Sequence, residues 1–332
     1  MSDRYGENGV IPVVRLDLAL LVADPGYFRM SFGFDLEPLS TSIDAVGLLN
    51  QPVVWRQQGR VHVVSGYRRV LALRRLGMST VECRVIPPST SRSRCMLLNF
   101  HDNLATRPLN QVEKAMACAR LFSLFPRREV IDRYMPALGL PSHEKTLELY
   151  LAIDAEPDGE IKQALASGQM SLKAAATLLK LDAPARKAFF DLFTSVKFNL
   201  NQQIQIIDMF CDIAGMTGIS LTVLIEEKEL RTIVESRTMN RPQKARAVLD
   251  YCRRRRYPSL HSAENRFRSI VGRLGLPSEV SILHPEYFEA SDFRMEVKFK
   301  DGTHLKNLLA RLNRLPLETL GIPWKEDSDE PA

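Results

Sequence analysis

The feature that most constrains this chain is a change of apolar period within residues 53–85, VVWRQQGRVHVVSGYRRVLALRRLGMSTVECRV. Val53-Val54-Trp55 and Val61-His62-Val63-Val64 are short β-branched and aromatic runs on either side of a polar QQGR, the pattern of a hairpin. At Ser65-Gly66 the period changes. Val70, Leu73 and Leu76 recur every three residues, which predicts a helix from about Tyr67 to Leu76 with Gly77 as its C-terminal stop. Val81, Cys83 and Val85 then alternate as in a further strand.

Residues 10–16, VIPVVRL, read as an opening strand, and Leu36, Leu39, Ile43 and Val46 mark a helix closed by Gly47 and Pro52. After Pro87-Pro88 and the STSRSR segment the strand signals stop. Helical patterns punctuated by Pro, Gly or Asn-Leu then fill residues 95–256. Beyond them, a helix at 262–274, strands near 279–284 and at 294–299, and a helix at 303–314 form a small α+β module. The expected division is therefore 10–88, 95–256 and 257–324, with the acidic end KEDSDEPA, 325–332, expected to be disordered.

A composition of 45% hydrophobic and 25% charged residues is that of an ordinary globular protein. With no apolar run of membrane-spanning length and no secretory signal at MSDRYGENG, a cytoplasmic location is expected. The five cysteines form no CxxC knuckle and read as packing residues. The net charge of +6 is unevenly spread: thirteen Lys/Arg face four Asp/Glu between Lys228 and Gly275. That local excess centres on Arg253, Arg254, Arg255 and Arg256, for which contact with a phosphate backbone is expected.

The strand-to-helix turn carries the chemistry. A glycine there lets backbone approach an anion, the first helical amides are free of intrahelical acceptors, and Arg68 and Arg69 add two permanent cations. Charge-assisted contacts of this kind contribute roughly 1.5 to 3 kcal/mol each, enough for the pair to help hold a di- or triphosphate. From local sequence alone, a solvated first turn is the competing reading. Neither a nucleophile triad nor a second histidine at ligand spacing from His101 is visible.

Residues 42–86 resemble the N-terminal domain of ParB-family partition proteins. Gly47, Leu48, Gln51 and Pro52 match the family's helix-ending segment, and Gly66, Arg68, Arg69, Ala72 and Gly77 match its Gly-Glu-Arg-Arg turn and following helix. Tyr67 stands where the family usually has Glu. The resemblance covers about residues 10–125 and implies a ParB/sulfiredoxin-like fold whose turn contacts the phosphates of CTP. A second family motif looks like Asp102-Asn103-Leu104-Ala105-Thr106 followed by Leu109-Asn110-Gln111-Val112-Glu113. The implied nucleotide-binding residues are thus Gln51, Gly66, Tyr67, Arg68, Arg69, Asp102 and Asn103, the last two also implied as ligands of Mg²⁺. Thr106 occupies the place of the motif's Arg, and Arg107 replaces it only if the loop before Pro108 shifts. That departure argues for binding over turnover.

Residues 127–181 resemble the family's helix-turn-helix part in degenerate form, disturbed by Pro136 and a longer turn. The second helix would present Ser142, His143 and Lys145 to base edges and phosphates, beside the acids Glu144 and Glu148. The family further implies a homodimer through the C-terminal strand Arg294–Lys300. A ParA-type ATPase partner is expected to be missing or bound elsewhere, since Arg4 is the sole base before the first strand. The leading expectation is an α+β, CTP-responsive DNA-binding protein of chromosome or plasmid partition, nucleoid-associated. A transcriptional regulator without nucleotide switching comes second, and a nuclease or phosphotransferase third.

Overall fold

The computed structural model describes residues 11–21, 26–285 and 292–320. The acidic end and the first nine residues, on which expectations of disorder and of a missing basic tail rested, lie outside them. The chain divides into two compact units, Met1–Arg186 and Lys187–Ala332.

The first unit opens on β1 (Val13–Asp17), followed by α1 (Glu37–Val46), β2 (Val53–Gln57), β3 (Arg60–Ser65), α2 (Tyr67–Arg75) and β4 (Thr80–Ile86). The sheet order is β1-β4-β2-β3, with β2 parallel to β4 and the other pairs antiparallel. Gln58 and Gly59 turn the β2–β3 hairpin with φ of 49° and 75°, the two positive values that match the twist of the flanking strands. Period-2 burial places Val61 and Val63 of β3 in a core with Leu16, Val54, Val81 and Cys83 of the neighbouring strands. Ile43 of α1 and Val70, Ala72 and Leu73 of α2 close that core. The expected hairpin, turn, helix and strand are all present.

A helical set completes the unit. It comprises α3 (Arg92–Thr106), α4 (Gln111–Phe122), α5 (Arg127–Glu129), α6 (Met135–Ala137), α7 (Glu144–Ala155), α8 (Gly159–Ala166) and α9 (Leu172–Leu178). Between α5 and α6 the residues Val130–Tyr134 widen into a π-turn, closed by a bond from the Met135 N–H to Val130 O, immediately before Pro136. Proline lacks the N–H that would continue the α pattern, which accounts for the disturbance expected there. α4 packs against α7 and α8, and the Tyr150 hydroxyl donates to Gln111 Oε1 at 2.5 Å. Glu156, buried, pairs with Arg186 and accepts the Asp158 N–H at 3.0 Å.

The second unit takes most of α10 (Ala183–Val196), then α11 (Leu200–Thr217), α12 (Leu221–Ile225), α13 (Lys228–Glu235), α14 (Arg241–Arg256) and α15 (Pro258–Arg273). Glu226 and Glu227 separate α12 from α13. Phe189, Phe210 and Tyr251 meet at ring separations of 5.6 and 6.5 Å. After α15 come β5 (Val280–Leu283), β6 (Arg294–Val297) and α16 (Gly302–Leu312); β5 and β6 pair antiparallel, and Ile282 packs with Ala263, Phe267 and Leu274. No helix among the described residues is long and apolar enough to cross a membrane. Cys83, Cys95, Cys118 and Cys252 are buried, and burial pushes the Cys83 thiol up to about 11 and the other three up to about 12, as inert packing groups require.

Candidate functional site

β3 ends at Ser65 and α2 starts at Tyr67, so Gly66 alone makes the turn, at φ 91° and ψ 22°. A Cβ at this position would meet Pro52 Cα and Arg69 Nε, each at 3.0 Å. Both the left-handed backbone and the close approach demand glycine. Gly66→Ala is expected to cost about 1–3 kcal/mol of unfolding free energy, read from a urea titration. A variant as stable as the parent would show that the turn relaxes freely.

The turn opens on a cavity of about 380 Å³, within the usual range for small-ligand sites. Gln51, Gly66, Tyr67, Arg68, Arg69, Asp102 and Asn103, separated by up to half a hundred positions, all line it. Arg84 and Arg107 join them, so four arginines face one carboxylate. Glycine offers no side-chain cap, and the first backbone bond into α2 is Val70 N–H to Gly66 O at 3.0 Å. The preceding first-turn amides therefore add partial positive charge to the arginines.

Arg68, Arg69 and Arg107 are each held by protein acceptors. Arg69 donates to the carbonyls of Asn50 at 2.9 Å and Gln51 at 3.2 Å, and its Nη2 stands 3.5 Å from Asp102 Oδ2. Asp102 also accepts the Ser65 hydroxyl. Arg68 pairs with Glu113 at 2.5 Å and lies over the Phe34 ring at 4.4 Å. Tyr67, in place of the family's Glu, sets its ring edgewise to Phe34 at 6.4 Å. Burial lowers the pKa of Arg68, helped by the neighbouring Arg107 cation and opposed by Glu113. Burial likewise lowers that of Arg69, with Asp102 opposing. Arginine stays charged through such shifts.

Arg107 supplies the cation that Thr106 withholds. α3 ends at Thr106, whose hydroxyl bonds back to Asp102 O at 2.8 Å, and Arg107 is extended at φ −163° and ψ 155° ahead of Pro108. A residue before proline is driven to this conformation. The side chain thereby turns into the cavity, pairing with Glu113 at 2.5 Å and donating to Met30 O at 2.7 Å and Asn103 Oδ1 at 3.1 Å. Glu113, which the sequence reading placed in a motif without a role, is thus the shared partner of two site arginines.

Asp102 and Asn103, the two residues implied for Mg²⁺, both line the cavity and differ in how far their oxygens are engaged. Asn103 donates to Asn99 O at 2.9 Å and Asn99 Oδ1 at 2.5 Å while its own oxygen accepts Arg107 at 3.1 Å, which leaves that oxygen one lone pair. Asp102 fits, because Mg²⁺ beside a nucleotide takes one or two carboxylates and completes its shell with phosphates and water. Among the described residues no group of three or more His, Cys, Asp or Glu is placed to hold a metal ion.

Ser142, His143 and Lys145 are exposed at the start of α7. One cation offsets part of the neighbouring acid charge: Arg127 pairs with Glu144 and stands 3.7 Å from Glu148. Three of the four consecutive arginines are engaged in close ion pairs. Arg254 pairs with Glu229, Arg255 with Glu227 at 2.5 Å and Arg256 with Asp212, leaving Arg253, 3.9 Å from Asp250, the most exposed. Three of them therefore tie α14 to its neighbours, and phosphate contact there would have to break ion pairs. Since an exposed pair contributes about 1 kcal/mol or less, Arg254→Ala is expected to lower the thermal midpoint by a few degrees at most. The salt slope of any DNA binding should not move; a slope reduced by about one would return Arg254 to phosphate contact.

No family model matches the chain. It is 30% identical over 169 residues to a probable chromosome-partitioning protein ParB of Coxiella burnetii, covering 50% of this chain and 56% of that protein. It is 30% identical over 211 residues to a probable plasmid-partitioning protein ParB of Thermus thermophilus, covering 54% of this chain and 69% of the relative. Among solved structures it is similar to the C-terminally truncated chromosome-partitioning protein ParB from Caulobacter crescentus. In its complex with CTP-gamma-S the identity is 24% and the TM-score 0.26 over 52% of this chain and 94% of that one. In its complex with the centromeric parS site the values are 21% and 0.34, over 59% and 98%. The fold is an α+β one, and the Thermus relative, matched across more than two thirds of its length, decides the family. This chain belongs to the ParB family of partition proteins.

Proposed function

We propose that the chain is a ParB-type DNA-binding protein whose N-terminal cavity binds CTP, acting in chromosome or plasmid partition. One observation carries the reading: four arginines converge with the uncapped start of α2 on a 380 Å³ cavity containing a single carboxylate. Such a site is built for a polyanion of triphosphate size. Asp102 would hold a Mg²⁺ ion, which supplies charge neutralisation of the phosphates. Gln51 and Asn50, which line the cavity beside Arg69, are the polar groups assigned to the base edge in this reading. Binding carries the reading, and turnover does not enter it. Filter retention of labelled CTP, competed by unlabelled CTP and not by ATP or GTP, tests the proposal; equal competition by all three would leave a triphosphate site without base choice.

The DNA contact in this reading is the exposed start of α7 as the second helix of a helix-turn-helix, with Ser142 and His143 at base edges and Lys145 on phosphate. The contacts of Glu144 and Glu148 with Arg127 support it, because one cation offsets half of the charge by which those acids would repel phosphate. Lys145→Ala is expected to weaken binding across duplex sequences and reduce the salt slope by about one, measured by fluorescence anisotropy. A weakening confined to one sequence would instead make Lys145 a base reader. The reading includes a homodimer through the C-terminal strand Arg294–Lys300 and a cytoplasmic, nucleoid-associated location.

A further inference from the structure

Glu113 lies behind the cavity, 1% exposed, near the start of α4. Its two oxygens accept four hydrogen bonds. Oε1 takes the Phe32 N–H at 3.1 Å and Arg68 Nη2 at 2.5 Å; Oε2 takes the Asn110 N–H at 3.1 Å and Arg107 Nη1 at 2.5 Å. The carboxylate thus bridges two guanidinium groups that both line the cavity, as the oxygens of a phosphate would.

Resting on the nucleotide reading of the cavity, we infer that Glu113 is an internal counter-anion that competes with an incoming phosphate for Arg68 and Arg107. The charges decide the matter. Two arginines and one glutamate leave the cluster one positive charge, which a terminal phosphate of about −2 would overturn while Glu113 stays in place. Each guanidinium has donors enough for both anions, so geometry permits simultaneous contact. Like charges sharing a water-poor cradle repel, and the weaker ligand is displaced. Glu113 holds the arginines apart and oriented while the cavity is empty, and it sets the affinity below that of the same arginines unopposed. When phosphate draws them away, the carboxylate loses its cations and releases the Phe32 and Asn110 amides. Glu113 is therefore a positioning residue that acts through the arginines.

The test is a titration of the full chain and of Glu113→Gln with inorganic tripolyphosphate and with CTP. Glutamine keeps an oxygen for the Asn110 capping box and removes the charge, while its NH₂ replaces the acceptor of the Phe32 N–H and of Arg68. Tripolyphosphate is expected to bind the variant about tenfold more tightly than the parent. Equal or weaker binding by a folded variant overturns the inference. Should the variant not fold, hydrogen exchange on the unaltered protein decides: saturating tripolyphosphate or CTP is expected to speed exchange at Phe32 and Asn110, and unchanged or slower exchange contradicts the displacement. If CTP binds but neither readout moves, this inference alone fails. If neither ligand binds either protein, the nucleotide reading fails with it.

Discussion

Glu113→Ala is expected to lower the unfolding free energy by about 3 kcal/mol, with the loss read from the shift of a urea transition followed by circular dichroism. The carboxylate is 1% exposed, whereas the Arg68 and Arg107 side chains are 27% and 18% exposed. Removing it leaves two part-buried cations facing one another and two backbone amides, of Phe32 and Asn110, without their acceptor. Each of those losses is of the kind that costs more than the original interaction gained. The exposed pair Arg15–Glu82 provides the contrast, with side chains 72% and 51% exposed at 3.5 Å. Glu82→Ala is expected to change stability by under about 1 kcal/mol. Similar losses for the two variants would mean that Glu113 is solvated in solution.

The second large effect is on ligand affinity. Arg68→Ala is expected to weaken CTP binding about 10- to 100-fold, the value of one charge-assisted contact in a cavity sheltered from water. Arg15→Ala, which removes a cation from the outer edge of the same sheet, is expected to leave it unchanged. The comparison separates contact from the general field of a positively charged protein. An equal loss in both variants would reduce the cavity to a diffuse electrostatic attraction.

Local signals made the N-terminal architecture legible. The Gln58-Gly59 turn, the shift of period at Gly66 and the stop at Gly77 each depend on neighbours a few positions away, and each gave an element close to its observed bounds. The seven residues implied for the nucleotide also come together in one cavity. What escaped the sequence depends on packing over long separations. Arg107 looked one place out of register, yet an extended residue before Pro108 turns its side chain back toward Met30 and Ser31, some 76 positions earlier. The Asn110–Glu113 spacing signals a capping box in any sequence, but nothing local reveals that the same carboxylate also meets Arg68 across 45 positions. The ion-pair partners of the arginine run escaped for the same reason. Counting charge within Lys228–Gly275 left out Asp212 and Glu227, which the packing of α11 and the start of α13 brings onto Arg256 and Arg255.

The most direct measurement is isothermal titration of the full chain with CTP, ATP and GTP, each in Mg²⁺ buffer with and without duplex DNA. The account predicts saturable binding of CTP at submillimolar concentration, in preference to the two purines, and its weakening about 10- to 100-fold in the Arg68→Ala variant. Absence of heat from every nucleotide at about 1 mM, where binding would be worth only about 4 kcal/mol, would contradict it.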